Sequence, residues 1–338
     1  MMALDLDLRS YRPEDEPRVL ELLGASLGGG PAGERPPEFF RWKHFANPFG
    51  SSYMLLAESD GRIAGLRAFM RWRWTAGDRT FSAVRAVDTA THPDFQGKGI
   101  FSKLTLRALD DLRAEGVDFV FNTPNPASLA GYLKMGWSIV GQAPIRIRVR
   151  RPIRFATRFR GVDKEPGTPP VVHAGASSEV LGQVRGLPEL LADAAPPDAR
   201  LRTPRDATYL GWRYGDAPLL DYRAVAETEG GTLRGLAIFR VRPRGGLWET
   251  TLSELIVRPG DRSTARRLLR RVRRSAAVDH LACHFAPGTA ADAAVRGSGY
   301  MKAPRGMTFV VNPLQDALVP DPHDLGSWAL SIGDLEVF

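Results

Sequence analysis

The spacing of apolar and polar residues changes along the chain, and each spacing predicts a type of element. Residues 53–58 and 62–74 flank an Asp60-Gly61 dipeptide, which is typical of a tight β-hairpin. Residues 97–114 instead repeat apolar side chains at helical spacing, which predicts an amphipathic helix. Its apolar face consists of Phe101, Leu104, Ala108 and Leu112.

The same periodicities give an order of elements for the first half of the chain. The expected order is strand 4–11, helix 13–23, loop 28–37, hairpin 53–74, a strand from Thr80, helix 97–114, strand 117–122, helix 126–134 and strand 138–150. Strands interleaved with helices predict an α/β (mixed α+β) sheet, mostly antiparallel, with helices on its faces. An aromatic run at 39–45 either lines a pocket or caps the core.

The second half of the chain repeats features of the first at a separation of about 170 residues, which is the signature of an internal duplication. The repeated pairs are Trp42-Lys43 and Trp212-Arg213, residues 55–58 and 224–227, and Gly65-Leu66 and Gly235-Leu236. Residues 161–180 are rich in Pro, Gly and Ser and are expected to form a linker. The sequence therefore predicts domains at 1–160 and 181–316, followed by a tail, 317–338, that docks through Trp328 and Phe338.

Composition narrows the class of protein. A chain of 338 residues, 43% hydrophobic and 25% charged, is expected to form two soluble globular domains. The lone Cys283 excludes an internal disulfide and no Cys/His spacing suggests a metal site, so we expect a cytoplasmic protein without metal. The amino terminus lacks the pattern of a signal peptide, and no apolar run is long enough to cross a membrane.

The net charge of +8 comes mostly from arginine. One dense group, at 146–160, alternates with apolar residues and predicts a strand with one arginine face. A second group, at 262–274, is spaced as the outer side of a helix whose inner side is Ala265, Leu268, Leu269 and Val272. Neither group carries a groove-reading motif, so we expect no nucleic-acid partner.

Residues 87–104 predict an anion-binding turn. A strand ends at Pro93, a turn with Gly97 and Gly99 follows, and a helix begins, so main-chain N–H groups at its start have no helical partner. The helix macrodipole adds partial positive charge there, and Lys98 adds a mobile cation. Such a turn can hold a diphosphate.

Two motifs in this region resemble those of GNAT (GCN5-related) N-acetyltransferases. Residues 96–101 resemble the family's Gln/Arg-x-x-Gly-x-Gly/Ala coenzyme A signature, with Phe101 standing where a small residue is usual. Residues 125–137 resemble its second motif, in which a tyrosine precedes Lys-x-Gly-aromatic. The order of elements over residues 4–150 also matches the GNAT fold. Together with the internal repeat, this resemblance implies two tandem GNAT-like domains.

The resemblance implies acetyl-coenzyme A as cofactor and assigns roles to residues. The cofactor-binding residues it implies are Thr89, Ala90, Thr91, Gln96, Gly97, Lys98, Gly99, Ile100, Phe101, Ser102, Asn125 and Ser128. Tyr132 matches the general acid that protonates the leaving thiolate. Asn125 and Ser128 have capping of a helix as an equal alternative. Asp88 is the candidate general base, with His92 or a water chain as alternatives.

The second copy lacks this turn. It has Gly260-Asp261-Arg262-Ser263-Thr264 in the corresponding place, and an acidic residue there would repel a phosphate. We therefore expect a degenerate GNAT-like domain that has lost cofactor binding.

The leading functional hypothesis is an N-acetyltransferase that acts by direct attack of a small-molecule primary amine, anionic or sugar-linked, in a monomer or homodimer. Three alternatives remain open. One is a non-catalytic acyl-CoA-binding module, another is a tandem GNAT with a different acyl donor, and the third is one with a mycothiol-synthase-like acceptor, an aminosugar–cysteine conjugate.

Overall fold

A computed structural model of the chain describes residues 6–27, 36–159, 166–195 and 199–336. The strands, in chain order, are β1 Asp7–Ser10, β2 Tyr53–Ser59, β3 Arg62–Ala76, β4 Arg79–Thr91, β5 Phe119–Asn122, β6 Ser138–Ala143, β7 Arg146–Val149, β8 Gly175–Ala176, β9 Tyr222–Glu229, β10 Thr232–Arg244, β11 Leu247–Val257, β12 His280–Cys283, β13 Met301–Lys302 and β14 Met307–Pro313. The α-helices are α1 Glu16–Leu27, α2 Pro37–His44, α3 Ile100–Ala114, α4 Pro126–Lys134, α5 Pro152–Phe159, α6 Ser177–Gln183, α7 Leu187–Ala194, α8 Ala207–Leu210, α9 Arg262–Ser275, α10 Ala290–Arg296 and α11 Ile332–Leu335. Among these described residues, no helix is long and apolar enough to cross a membrane.

The chain divides into two compact units, each with its own sheet and core. Among the described residues, the first unit comprises the chain up to Gly141 together with Thr308–Ser327. The second comprises Gln142–Met307 and Trp328–Glu336. The predicted tail therefore divides between the units, and Trp328 is 1% exposed in the second. Phe338 and most of the predicted loop at 28–37 lie outside the described residues.

The sheet of the first unit has seven strands in the order β1-β2-β3-β4-β5-β14-β6. Neighbours from β1 to β4 pair antiparallel, and β4 pairs parallel with β5. Helices α3 and α4 bring apolar residues to a core that also contains residues of β2, β4 and β14. The expected mixed α/β fold is confirmed for this unit.

The sheet of the second unit repeats this arrangement, in the order β8-β9-β10-β11-β12-β7-β13. Strand β11 pairs antiparallel with β10 and parallel with β12. The arginine-rich helix α9 buries the four predicted inner residues, Ala265, Leu268, Leu269 and Val272. Burial of this apolar side holds α9 to the sheet and leaves its arginines on the other faces.

One strand of each sheet comes from a part of the chain that the sequence-based boundaries assign to the other domain. The predicted single strand 138–150 is two strands: β6 belongs to the first sheet, whereas β7 pairs with β12 in the second. Conversely, β14 lies far along the chain but pairs with β5 of the first sheet. The boundaries drawn at 160 and 316 therefore differ from those of the structure. Periodicity shows which residues form a strand but does not identify its partner.

Other predicted elements lie close to their expected bounds. Helix α4 has the predicted residues, and α3 begins at Ile100 because Gly97 and Gly99 adopt left-handed backbone angles. The expected linker is partly structured, since β8 and α6 fall within it.

One glycine of β3 positions helix α3 on the first sheet. A Cβ atom at Gly65 would lie 2.6 Å from Ile100 Cγ2 and 3.2 Å from Leu104 Cδ1, too close for any larger residue. Ile100 and Leu104 are both buried. The start of α3, and the loop before it, is thereby fixed against the sheet.

Candidate active site

The loop between β4 and α3 has the geometry of an anion-binding turn. After a short helical turn at Pro93–Phe95, Gly97 and Gly99 take φ angles of +73° and +75°, and Gly99 is the N-cap of α3. A Cβ added at either glycine would meet no atom within 4 Å. Glycine is thus required by backbone conformation, and open space lies beside the backbone. The first N–H groups of α3 are available to an anion there.

The flanks of this loop are anchored, while its tip is exposed. Phe95 is buried, and the Lys98 ammonium lies 4.9 Å from the centre of its ring. Arg62 pairs with Asp94 at 2.9 Å, and this hydrogen bond holds the pKa of Asp94 below its ordinary value. The one carboxylate within residues 93–99, that of Asp94, is therefore paired with Arg62, and the ammonium of Lys98 lies at the exposed tip.

Strand β4 is open on one edge where the cofactor is expected. Its parallel pairing with β5 is confined to Ala83, Val84 and Arg85, although the strand continues to Thr91. On the other edge the pairing with β3 shifts register around Asp88, which forms a bulge. In the part of the chain that the structure describes, no strand pairs with residues 86–91 on the β5 side. Main-chain groups of Thr89, Ala90 and Thr91 on that edge can pair with an amide-containing chain.

The predicted general acid lies next to the helix that follows the loop. Tyr132 is 6% exposed, and its ring contacts the ring of Phe101 edge to face at 5.8 Å. Phe101, which departs from the GNAT signature, points toward α4, where a Cβ on Gly131 would be 3.2 Å from its ring. Its large side chain therefore packs between α3 and α4 and does not fill the turn.

Asn125 and Ser128 cap helix α4. The Asn125 side chain accepts a hydrogen bond of 2.8 Å from the Ser128 N–H, and the Ser128 hydroxyl donates to the Asn125 carbonyl at 3.2 Å. The capping alternative is therefore observed, and it orients the helix that carries Tyr132. A cofactor contact by these two residues stays a prediction.

Asp88 lies in a buried ionic network. One of its carboxylate oxygens is 2.8 Å from Lys43 Nζ and 2.9 Å from His44 Nε2, and the side chains of all three residues are at most 3% exposed. His44 Nδ1 lies 2.9 Å from the hydroxyl of Ser52. Since the carboxylate needs a donor, His44 carries its proton on Nε2 and Ser52 donates to Nδ1. The network ties helix α2 to the bulge of β4, and the role of Asp88 as a base stays a prediction.

Arg67 is the site residue that sequence reasoning missed. It is fully buried on β3, and its Nη1 donates to the carbonyl of Val87 and to the hydroxyl of Thr89. Its guanidinium lies 5.5 Å from the centre of the Tyr132 ring, and Nε and Nη2 have no hydrogen-bond partner among the described residues. A buried guanidinium with unused donors beside the proposed acid is a candidate to contact negative charge. The sign of this residue in the sequence is that a single arginine interrupts the apolar run 63–70.

The equivalent turn in the second unit has a carboxylate at the start of its helix. The side chain of Asp261 caps α9 by accepting a hydrogen bond of 3.0 Å from the Thr264 N–H. Burial acts in the opposite direction, but the hydrogen bonds from Thr264 and Ser263 hold the pKa of Asp261 below its ordinary value. The loss of cofactor binding by this unit stays a prediction.

The described residues contain no group of three or more His, Cys, Asp and Glu side chains placed to hold a metal ion. The anion-binding turn, the open strand edge and Tyr132 are instead the features on which GNAT enzymes rely, according to the resemblance found in the sequence.

Comparison with known families agrees with this geometry. Residues 7–140 match a family described as an acetyltransferase (GNAT) domain. Residues 7–140 are therefore similar to a GNAT domain, and all of them fall within the first unit.

Individual relatives point to the same class. The chain is 31% identical over 94 residues to the L-amino acid N-acyltransferase MnaT of Escherichia coli K12, an alignment that covers 27% of this chain and 53% of that protein. The chain thus spans about half the length of this curated relative.

Solved structures share the fold over both units. A probable N-acyltransferase from Enterococcus faecalis V583 superposes with a TM-score of 0.63 at 13% identity, covering 92% of this chain and 73% of that one. A GCN5-related N-acetyltransferase from Anabaena variabilis gives 0.61 at 10% identity, with the same coverages of 92% and 73%. Eis1 from Mycobacterium abscessus gives 0.53 at 15% identity, covering 92% and 74%. These similarities establish the GNAT fold.

Proposed function

We propose that the protein is an acetyl-coenzyme A-dependent N-acetyltransferase that acts on a primary amine of a small molecule. The contact between Phe101 and Tyr132 carries the proposal, because it joins the anion-binding turn and the proton donor in one site. When bound, acetyl-coenzyme A supplies an acyl group as a thioester.

The residues of the turn and of β4 bind and orient the cofactor. The N–H groups from Gly97 to Phe101, together with Lys98, hold the diphosphate at the start of α3. Main-chain groups of residues 89–91 pair with the pantetheine arm along the edge of β4 that β5 leaves open. These contacts place the reacting carbon near Tyr132.

Two side chains, Tyr132 and Arg67, stabilise or neutralise the negative charge that develops at the reacting centre. The Tyr132 hydroxyl donates its proton to the sulfur as the thiolate leaves. The buried guanidinium of Arg67 stabilises negative charge beside Tyr132, in surroundings where water does not screen it. The incoming amine loses a proton to Asp88 or to solvent.

An amine with a nearby anionic group is the acceptor class that we favour. The relative from Escherichia coli is named for L-amino acids, which carry such a group. The positive charge of Arg67 and the net charge of +8 support the same class.

Replacement of Tyr132 tests the proposal directly. Tyr132→Phe should lower kcat about 100-fold, the usual contribution of a positioned acid, while the Kd for coenzyme A changes less than about twofold. The measurements are coenzyme A release with a panel of amines and amino acids, and calorimetry with coenzyme A. Tyr53→Phe, which removes a hydroxyl bonded to Asp111, is the matched control and should leave kcat unchanged. Unchanged turnover in Tyr132→Phe would remove Tyr132 from the mechanism, and coenzyme A uptake without turnover on any acceptor would indicate a binding module.

A further inference from the structure

The second unit contains a cleft lined with arginine that the proposed reaction does not use. It has a volume of about 460 Å³ and lies between helix α9 and the end of α10. Its lining residues are Arg148, Arg266, Leu269, Arg270, Arg273, Gly297, Ser298 and Tyr300. A smaller recess of about 290 Å³ shares Arg266 and Gly297 with it and extends the cleft to Arg262. The volume is in the range of small-ligand sites.

The arginines of α9 form two rows with different partners. Arg267 and Arg271 face Glu227, with which each forms an ion pair of 3.0 Å. Positions 262, 266, 270 and 273 follow one another at helical spacing and line the cleft or its extension. Within the described ranges, no carboxylate lies within 4.0 Å of the side chains in this second row. One row is therefore neutralised by protein, and the other is not.

The surroundings of the cleft add to its positive charge. Burial, followed by repulsion from Arg273, Arg151 and Arg148, holds the pKa of Arg150 below its ordinary value. Arg148 Nη1 donates to the Ser298 carbonyl, so its position at the cleft wall is fixed. Asp261 lines a separate recess together with Arg262, and Asp292 pairs with Arg146 and Arg296 at 3.1 Å. Uncompensated guanidinium groups in a concave site attract an anion.

Tyr300 forms part of the cleft wall and of the core beneath it. It is 5% exposed, and its ring packs in the core cluster that contains Cys283 and Val295. Its hydroxyl is buried, so the ligand contacts in the cleft are expected from the row of arginines.

We propose that this cleft binds a small molecule bearing two or more phosphate groups. Adjacent members of the row rise along α9 by about 6 Å per four residues, so their guanidinium groups can contact successive phosphates. Guanidinium forks match phosphate oxygens bidentately, and at least three arginines without acidic partners favour a multiply charged ligand over a single carboxylate. The second unit thus keeps a ligand site although the side chain of Asp261 caps the helix at its turn.

The test uses the full chain carrying Gly99→Asp, which blocks the turn of the first unit, and inorganic tripolyphosphate as the probe. Calorimetry and thermal shift should show saturable binding that weakens with salt. Arg266→Gln/Arg270→Gln should weaken binding at least about tenfold, the loss of two charge-assisted contacts. The control Arg267→Gln/Arg271→Gln removes the same charge from the same helix and should change Kd less than about threefold, since these side chains already face Glu227.

Tyr300→Phe is a further control within the cleft wall. It removes a buried hydroxyl without changing the charge of the cleft, so it should change the Kd for tripolyphosphate less than about twofold. Three results would overturn the proposal: no binding at millimolar tripolyphosphate, equal losses in the two double variants, or a single-stranded oligonucleotide that binds more tightly through the same arginines.

Discussion

The two units have corresponding sheets but differ at the start of one helix. This helix is α3, after β4, in the first unit and α9, after β11, in the second. In both, a glycine of the preceding hairpin lies beneath the helix: Gly65 under Ile100, and Gly235 under Thr264, where an added Cβ would be 2.8 Å away. The N-cap of the helix is Gly99 in the first unit and Asp261 in the second. A glycine beneath the helix is thus common to both units, and we expect the residue at the N-cap to decide whether an anion can bind.

The comparison is tested most strongly by giving the first unit the acidic residue of the second. Gly99→Asp should weaken coenzyme A binding at least about 1000-fold, or about 4 kcal/mol, through a carboxylate at the turn and an unfavourable φ angle. Calorimetry with coenzyme A measures the effect. Gly116→Asp is the control, because Gly116 has a similar φ of +80° and equally open surroundings at the far end of α3. Binding that survives in Gly99→Asp would show that the turn is not the diphosphate site.

A second difference lies in the buried carboxylate of the bulged strand. Asp88 contacts Lys43 and His44, whereas Glu254 contacts Arg205 at 2.9 Å and the Tyr214 hydroxyl at 2.8 Å. Asp88→Asn should reduce the free energy of unfolding by about 3 kcal/mol, because it removes the charge that a buried ammonium contacts.

Glu254→Gln is the matched variant in the second unit. Burial already raises the pKa of Glu254, so loss of its charge should cost less than the change at Asp88. Denaturant unfolding measures both variants, and the dependence of kcat on pH separates a second role for Asp88. If Asp88→Asn is as stable as wild type but its kcat no longer falls at acidic pH, then Asp88 is the base.

How far the sequence predicts the molecule depends on the range of the interaction. Helix α4 and the turn at 96–99 depend on local propensity and capping, and both were predicted from the residues themselves. The network of Asp88, Lys43 and His44 joins residues more than 40 positions apart, so no local pattern reveals it. Arg67 was overlooked because it stands in an apolar run whose alternation alone defines the strand.

The units also differ at the first residue pair between the parallel strands, β4 and β5 in the first unit and β11 and β12 in the second. This difference predicts that acid affects the stability of the two units differently. Ala83 faces Phe119 in the first unit, whereas Glu249 faces His280 in the second, 2.9 Å from side chain to side chain. Burial acts to raise the pKa of Glu249, but the hydrogen bond from His280 and nearby arginines lower it to about 2.

Since the folded-state pKa of Glu249 is below the ordinary value of 4.5, its stabilisation is present above pH 4.5 and is lost as the pH falls toward 2. Glu249→Gln should therefore cost on the order of 2 kcal/mol at pH 7, and the gap to wild type should narrow below pH 4.5. Thermal unfolding from pH 7 to pH 3 measures this. A gap that stays constant over that range would contradict the assignment.

The smallest effect is expected at the acidic cap itself. Asp261→Ala should lower stability by about 1 kcal/mol, because the Thr264 N–H loses its acceptor. The variant should still bind one coenzyme A per chain, as measured by calorimetry, because the second unit does not have the Gly-Lys-Gly sequence of residues 97–99. A second equivalent of bound coenzyme A would show that Asp261 alone closes the second turn.

The exchange of β7 and β14 between the halves of the chain has a consequence for biosynthesis. During translation, β5 and β6 of the first sheet are synthesised long before residues 307–313 leave the ribosome. The position between β5 and β6 therefore stays unfilled until β14 has been made. A polypeptide that stops in the middle exposes unpaired edges, which favour aggregation. Each sheet is accordingly complete only when both halves of the chain have been synthesised.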